Sequence, residues 1–272
     1  MSIIINPYAF SSSSPAVSLP ASTVFNLEAS NTDSYDGSTD LQTWKNTIAS
    51  PADGSSQSDY DAWLGNDGTA STDDPSFSTD KFVYDGADMF LLKNRTTFTE
   101  TLSRSDQSNN WWALSHFKTA TLAGSFISIF SASSSSATEH GAALLIDESN
   151  NRLQLWRRNA TGNTNAINLT SVGVIQNNTQ YLVIVGYNSS TGAWSLYLNG
   201  KSLDESGTST PPTSTTSSTD HIGIGGADGA AGSRFTNGSE QYQFAMGNDS
   251  LTSGIVSDLV DYVNNSSGTS YS

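Results

Sequence analysis

Residues 180–201 constrain the fold most. Two apolar, alternating segments, 181–187 and 194–198, flank the connector Asn188-Ser189-Ser190-Thr191-Gly192. In the first segment Tyr181, Val183, Val185 and Tyr187 share one side and Leu182, Ile184 and Gly186 the other. Both sides are apolar, the pattern of a strand held between two layers. The second alternates more sharply, with Trp194, Leu196 and Leu198 set against Ser195, Tyr197 and Asn199. That spacing places Trp194 and Leu196 in a core. Asn199-Gly200 then supplies a tight second turn before Lys201.

A chain of 272 residues with 22 glycines, only 14 % charged residues and recurring turn signals favours many short strands over helices. One β-sandwich of roughly 200 to 250 residues is ordinary, and six Trp, ten Tyr and eleven Phe supply its interior. The formal charge of -15, with 11 Lys and Arg, argues against a nucleic-acid partner, which needs a basic patch. No cysteine is present, so disulfides and thiolate metal or redox sites are excluded. No apolar run approaches the roughly 18 residues of a membrane span.

Two units are expected, an arm over residues 1–22 and a domain over 23–272. The arm carries Ile3-Ile4-Ile5-Asn6-Pro7-Tyr8-Ala9-Phe10, a serine run, and Pro15 and Pro20. It reads either as a flexible leader packed on the domain edge or as an anchor, with Ile3, Ile5, Tyr8 and Phe10 docking on a partner as an added strand. Its first ten residues contain no Lys or Arg, unlike a secretory signal. A surface-type composition without a signal leads to the expectation of a particle assembled in the cytoplasm and released by lysis. Beyond the arm, residues 53–80 read as one long polar loop, and 109–117, 124–130, 141–146 and 152–157 as strands. Residues 131–136 and 208–219 are low-complexity loops. Ile255 with Leu259, and Val256 with Val260 and Val263, lie on helical spacing behind Ser253 as cap.

The run Trp194-Ser195-Leu196-Tyr197-Leu198-Asn199-Gly200-Lys201 resembles the signature hairpin of the laminin-G-like, concanavalin A-like jelly-roll family. Val24-Phe25-Asn26-Leu27-Glu28-Ala29 resembles that family's opening strand; Tyr35-Asp36-Gly37-Ser38 and Trp44-Lys45-Asn46 resemble the turn and the tryptophan after it. Phe82-Val83-Tyr84-Asp85-Gly86-Ala87-Asp88 is similar to its Asp-Gly strand end, departing at Met89. The resemblance runs from about residue 24 to 263. It implies an all-β jelly-roll sandwich of two antiparallel sheets with an extended N-terminal arm and a short C-terminal helix. The opening Ile-Ile-Asn-Pro-Tyr-x-Phe is similar to the start of tailed-bacteriophage structural proteins carrying such a domain. That implies a virion surface protein, a head decoration or fibre component, held to capsid or tail subunits and to copies of itself through the arm. Host-surface polysaccharide is its expected outside partner, with no nucleic acid and no membrane. A secreted or cell-surface carbohydrate-binding module is the alternative, and a glycan-active hydrolase the third.

Catalysis on such a sandwich would need a particular residue pattern. Jelly-roll glucanases place two carboxylates on one strand face, roughly 5 to 5.5 Å apart for retention. None of Glu28, Glu100, Glu139, Glu148, Glu205 and Glu240 has an acid two or four positions away in an apolar strand. The expectation is therefore a protein that is not an enzyme. His116, His140 and His221 have no metal-like spacing. Asn31, Asp33, Asp36 and Asp40 crowd one loop, and Asp85 and Asp88 another, yet neither has a calcium-loop spacing. No cofactor is expected, and structural calcium is an alternative that this spacing does not support. Sugar binding calls for aromatic faces beside planar polar groups. With Leu153 and Leu155 inward, Gln154, Trp156 and Arg158 share the opposite face; Tyr197, and Trp112 with His116, are expected to line up alongside. The same surface also fits a second core layer or an oligomer interface.

Overall fold

The computed structural model describes residues 17–103, 108–122, 126–132, 141–158, 164–203, 221–226 and 234–272. Sheet A has the order β14 (Lys201–Ser202), β13 (Ala193–Leu198), β12 (Gln180–Asn188), β7 (Trp111–Lys118), β16 (Glu240–Gly247), β5 (Lys81–Val83), β4 (Ser76–Ser78). The first strand, β1 (Thr23–Glu28), also pairs with β16. Sheet B has the order β11 (Thr164–Asn168), β10 (Arg152–Arg158), β9 (Gly141–Asp147), β8 (Phe126–Ser131), β15 (Gly223–Ile224), β6 (Phe90–Leu92), β3 (Ala62–Leu64), β2 (Thr43–Trp44). The pairings are antiparallel throughout, in a jelly-roll type sandwich.

The inward residues of both sheets form one core, rich in rings: Trp44, Trp111, Trp194, Phe25, Phe82, Phe90 and Phe130 are fully buried. Trp194 packs on Tyr187 at 4.3 Å and on Trp111 at 5.5 Å between ring centroids. The hairpin expected from sequence is present. Val183 and Val185 enter this core while Leu182 and Ile184 enter a second one on the far side of sheet A. The turn after β13 runs through Asn199 and Gly200 at φ 54° and 84°, a left-handed pair that asparagine and glycine tolerate best.

The second core exists because a helix covers the outer face of sheet A. Helix α2 (Ser253–Ser267) sets Val256, Leu259, Val260 and Val263 on Trp112, Leu114, Leu182, Ile184 and Ala245. Each such side chain removed from water contributes about 1.5–3 kcal/mol. The helix cap is Thr252, whose hydroxyl accepts from the Ile255 N–H, and not Ser253; Gly268 at φ 64° ends the helix. Two strand glycines give the close approach room. A Cβ on Gly247 would fall 2.2 Å from the Trp112 indole, and one on Gly186 2.4 Å from Leu251.

Several elements depart from the expectations. Residues 53–80 are not one loop: they hold a 3₁₀ turn over Gln57–Tyr60 with β3 and β4, and bury Tyr60, Ala62 and Leu64. Strands of three residues carry too little alternation to stand out from the surrounding turns. Helix α1 (Thr97–Ser103) and strand β11 were likewise not foreseen. The arm's Ile3, Ile5, Tyr8 and Phe10 lie outside the described residues. Residues 17–22, assigned to the arm by sequence, are fastened to the sandwich: Thr23 donates to the Pro20 carbonyl, Asn248 N–H to that of Ser22, and the Trp112 indole to the Ser22 hydroxyl.

Candidate functional site

Strand β10 turns Leu153 and Leu155 into the main core, so Gln154 and Trp156 stand on the outer face of sheet B, as alternation predicts. There they join a connected polar network. The Trp156 indole N–H donates to Gln154 Oε1 at 2.9 Å, and Gln154 Nε2 donates to Asn168 Oδ1 at 2.8 Å and to Asp147 Oδ2 at 3.4 Å. Asp147 Oδ2 also accepts from Asn150 Nδ2 at 2.8 Å and from Arg152 Nε at 2.9 Å. Every link fixes the next, so the amide of Gln154 has one orientation and the indole is pinned at its edge.

Beside this network lies an aromatic partner that sequence reasoning missed. Phe126 of β8 meets the Trp156 ring edge-on at 5.0 Å between centroids. Strand β9 lies between them, and Leu145, the outward residue midway along that diagonal, is buried. Phe126 keeps 37 % of its surface exposed, Trp156 is half-buried, and Asn168 is exposed. Gln154 and Asp147 are buried and serve to fix the indole and Asn168, so the surface offered is the aromatic pair beside the Asn168 amide, suited to hold a flat ligand with an apolar face and a hydroxyl rim. The missing signal was register: Phe126 reaches Trp156 only once β8, β9 and β10 are aligned.

The other predicted members lie elsewhere. Trp112 and His116 do share a face of β7, but it is the outer face of sheet A, beneath α2, where both have no solvent exposure. Tyr197 is half-buried against the same helix. The single surface joining Trp112, His116 and Tyr197 to Gln154 and Trp156 is therefore corrected: the two groups lie on opposite outer faces of the sandwich. Arg158 ends β10 in register with Gly141 and Thr164, and its side chain lies outside the described residues.

His116 is a structural residue in this arrangement. Its Nε2 meets Gln180 Nε2 at 2.6 Å and the Tyr271 hydroxyl at 3.2 Å, its Nδ1 the Ser267 hydroxyl at 3.4 Å, and its ring stacks on Tyr242. Tyr242 in turn donates to Glu240, which pairs with Lys81 and Lys118. Burial pushes the His116 pKa down to about 4. His221 Nδ1 contacts the Leu92 carbonyl at 2.7 Å, and His140 lies outside the described residues.

The acidic loops close on themselves. Asp36 accepts from the N–H groups of Ser38 and Thr39 and from the Thr39 hydroxyl, which holds its carboxyl far below the usual range. Asn31 caps Asp33, and Asp40 caps Gln42. Asp88 is buried, accepts from the Asp85 N–H, and is raised to about 7 by that burial. Among the described residues no three His, Cys, Asp or Glu side chains are grouped to hold a metal ion.

No family model matches the chain, and no curated protein matches it in sequence. Solved structures do match in fold. Trypanosoma rangeli sialidase in complex with sialic acid superposes with a TM-score of 0.58 at 14 % identity, over 89 % of this chain and 33 % of that one. The same sialidase with 2,3-difluorosialic acid, as a covalent intermediate, gives 0.60 at 14 % identity over 94 % and 35 %. The binding domain of botulinum neurotoxin serotype D gives 0.60 at 12 % identity over 89 % and 52 %. The chain spans about a third of the sialidase and about half of the toxin domain, and at these identities the likeness shows the fold alone. The expectation that the protein is not an enzyme is corrected here: the first of these neighbours are sialidases, so the sandwich occurs within enzymes. Neither the laminin-G-like nor the bacteriophage resemblance is met by a matching family or relative.

Proposed function

We propose that this chain is a carbohydrate-binding β-sandwich domain that holds its glycan on the outer face of sheet B. The observation that carries the reading is the partly exposed Phe126–Trp156 pair beside the fixed amides of Gln154 and Asn168. Pyranose rings stack on such faces while their hydroxyls meet planar polar groups. A sialidase bound to sialic acid and a toxin's binding domain, both sharing the fold, are consistent with this class. A single shallow site of this kind is weak and relies on many copies. The test is binding of multimerised protein to a glycan array, with wild type against Phe126→Ala/Trp156→Ala. Loss of roughly tenfold or more with unchanged circular dichroism supports the reading; unchanged binding makes the patch structural and sinks it.

The opening Ile3-Ile4-Ile5-Asn6-Pro7-Tyr8-Ala9-Phe10 favours a finer reading, a bacteriophage head decoration or fibre component at the virion surface. Ile3, Ile5, Tyr8 and Phe10 then dock on a capsid or tail subunit or on a neighbouring copy. Residues 17–22 are bonded to the sandwich, so deletion of residues 1–16 is the clean test. Attachment or oligomer formation should be lost with thermal unfolding unchanged; normal assembly of the truncated protein refutes the anchor.

A further inference from the structure

A cavity of about 320 Å³ opens at one end of the sandwich, where segments distant in sequence meet: Asp53, helix α1, the approach to β7, the β12–β13 turn and the residue after β16. Its volume lies at the lower end of the range of roughly 300–1,000 Å³ common to small-molecule sites. The hydrogen bonds around it fix which polar atoms are left to face a ligand. Asn110 Oδ1 accepts from the Ser189 backbone N–H at 2.9 Å and from the Ser189 hydroxyl at 3.1 Å. A backbone N–H can only donate, so the oxygen must sit there and the Asn110 amino group points away. Asn109 is set the opposite way. Thr101 gives its own proton to the Thr97 carbonyl at 3.0 Å, so it accepts from Asn109 Nδ2 at 3.1 Å, leaving Asn109 Oδ1 unspent.

Consecutive residues thus line one cavity with an acceptor and a double donor. Asn248 adds a further side-chain amide, while buried Phe98 gives an apolar wall. Asp53 contributes charge more than contacts, since its oxygens accept from Ser55 and Tyr60. No Lys, Arg or His is among the described lining residues, so nothing there offsets an anion. We propose that this cavity is a separate binding site for a neutral polyol, one sugar residue whose vicinal hydroxyls are read by the Asn109 carbonyl and the Asn110 amino group. Adjacent hydroxyls donate and accept in turn, the complement of that pair.

The site shares no residue with the Phe126–Trp156 face, so the two readings fail separately. Amide chemical shifts of the full chain are followed by NMR during titration with methyl glucoside, galactoside and mannoside, with glucuronate as the anionic control. At least one neutral glycoside should shift Asn109, Asn110, Ser189 and Asn248, and glucuronate should not. Asn110→Asp keeps the acceptor toward Ser189 and removes the two donors, so affinity should fall roughly tenfold or more, while Trp156→Ala leaves it unchanged. If Asn110→Asp does not fold, Asn248→Ala carries the test with the same expected loss. Absence of shifts with all three glycosides, equal binding of glucuronate, or loss in Trp156→Ala but in neither cavity variant overturns the proposal.

Discussion

On the outer face of sheet A, Trp112 and His116 have no contact with solvent; on the outer face of sheet B, Trp156 and Phe126 keep part of theirs. Both pairs stand on outward positions of strands whose inward neighbours are core residues. What separates them is α2, whose buried residues begin more than 140 positions after Trp112. Alternation decides which side of a sheet a residue faces, and a distant element decides whether that side is wet. An aromatic residue on an outward position is therefore a ligand contact or a core residue according to its cover.

Truncating the rings tests this contrast between the faces most directly. Trp112→Ala, under the helix, should cost about 3–5 kcal/mol in a denaturant titration, as should Trp194→Ala in the main core; a loss below about 1 kcal/mol for Trp112→Ala would mean α2 does not seal the face. The next effect is pH-dependent. Burial holds the folded-state pKa of His116 near 4 against an ordinary 6.5, so neutral His116 contributes stability that is complete above pH 6.5 and is lost as pH falls toward 4. The loss should reach up to about 3 kcal/mol, and His116→Gln should flatten stability over that window. An unchanged slope in the variant would show that the imidazole is hydrated in solution. Thr252→Ala removes the helix cap and should cost about 1 kcal/mol, read as a lower midpoint with unchanged m value. Smallest of all, Trp156→Ala should change stability by no more than about 1 kcal/mol while reducing array binding. If it destabilises as much as Trp112→Ala, the two faces are alike and the sheet B face is a second core.

Much of this architecture is legible in the chain itself. Apolar residues on both sides of 181–187 announce a middle layer, and the helical spacing of Val256, Val260 and Val263 announces something able to cover it. Which strands the helix would cover is only partly legible: Leu114 between Trp112 and His116 gives that face an apolar neighbour where Gln154 and Arg158 flank Trp156, but the pairing of the strands beneath the helix cannot be read from either run. Faint signs exist in Gly186 and Gly247, strand glycines whose missing Cβ atoms let Leu251 and the Trp112 indole close in. At the sheet B face, Arg152, Gln154 and Trp156 are placed by alternation along β10, whereas Phe126, Asn168 and Asp147 join them only through cross-strand register. The end cavity is illegible for the same reason, being assembled from side chains of separate loops.

Among the described residues, strand β7 is paired on one edge by β12 and on the other by β16, and β1 is paired by β16 alone. Gln243 reaches back 217 positions to donate to Asn26. Closing loops of that span is slow, since the entropy is lost before the contacts form. As the chain leaves the ribosome, β1 therefore waits unpaired and β7 keeps one bare, aromatic-rich edge until residue 247 has been made. Over that interval the bare edge is a template on which a neighbouring nascent chain can pair, a hazard that dilution or a chaperone would lessen.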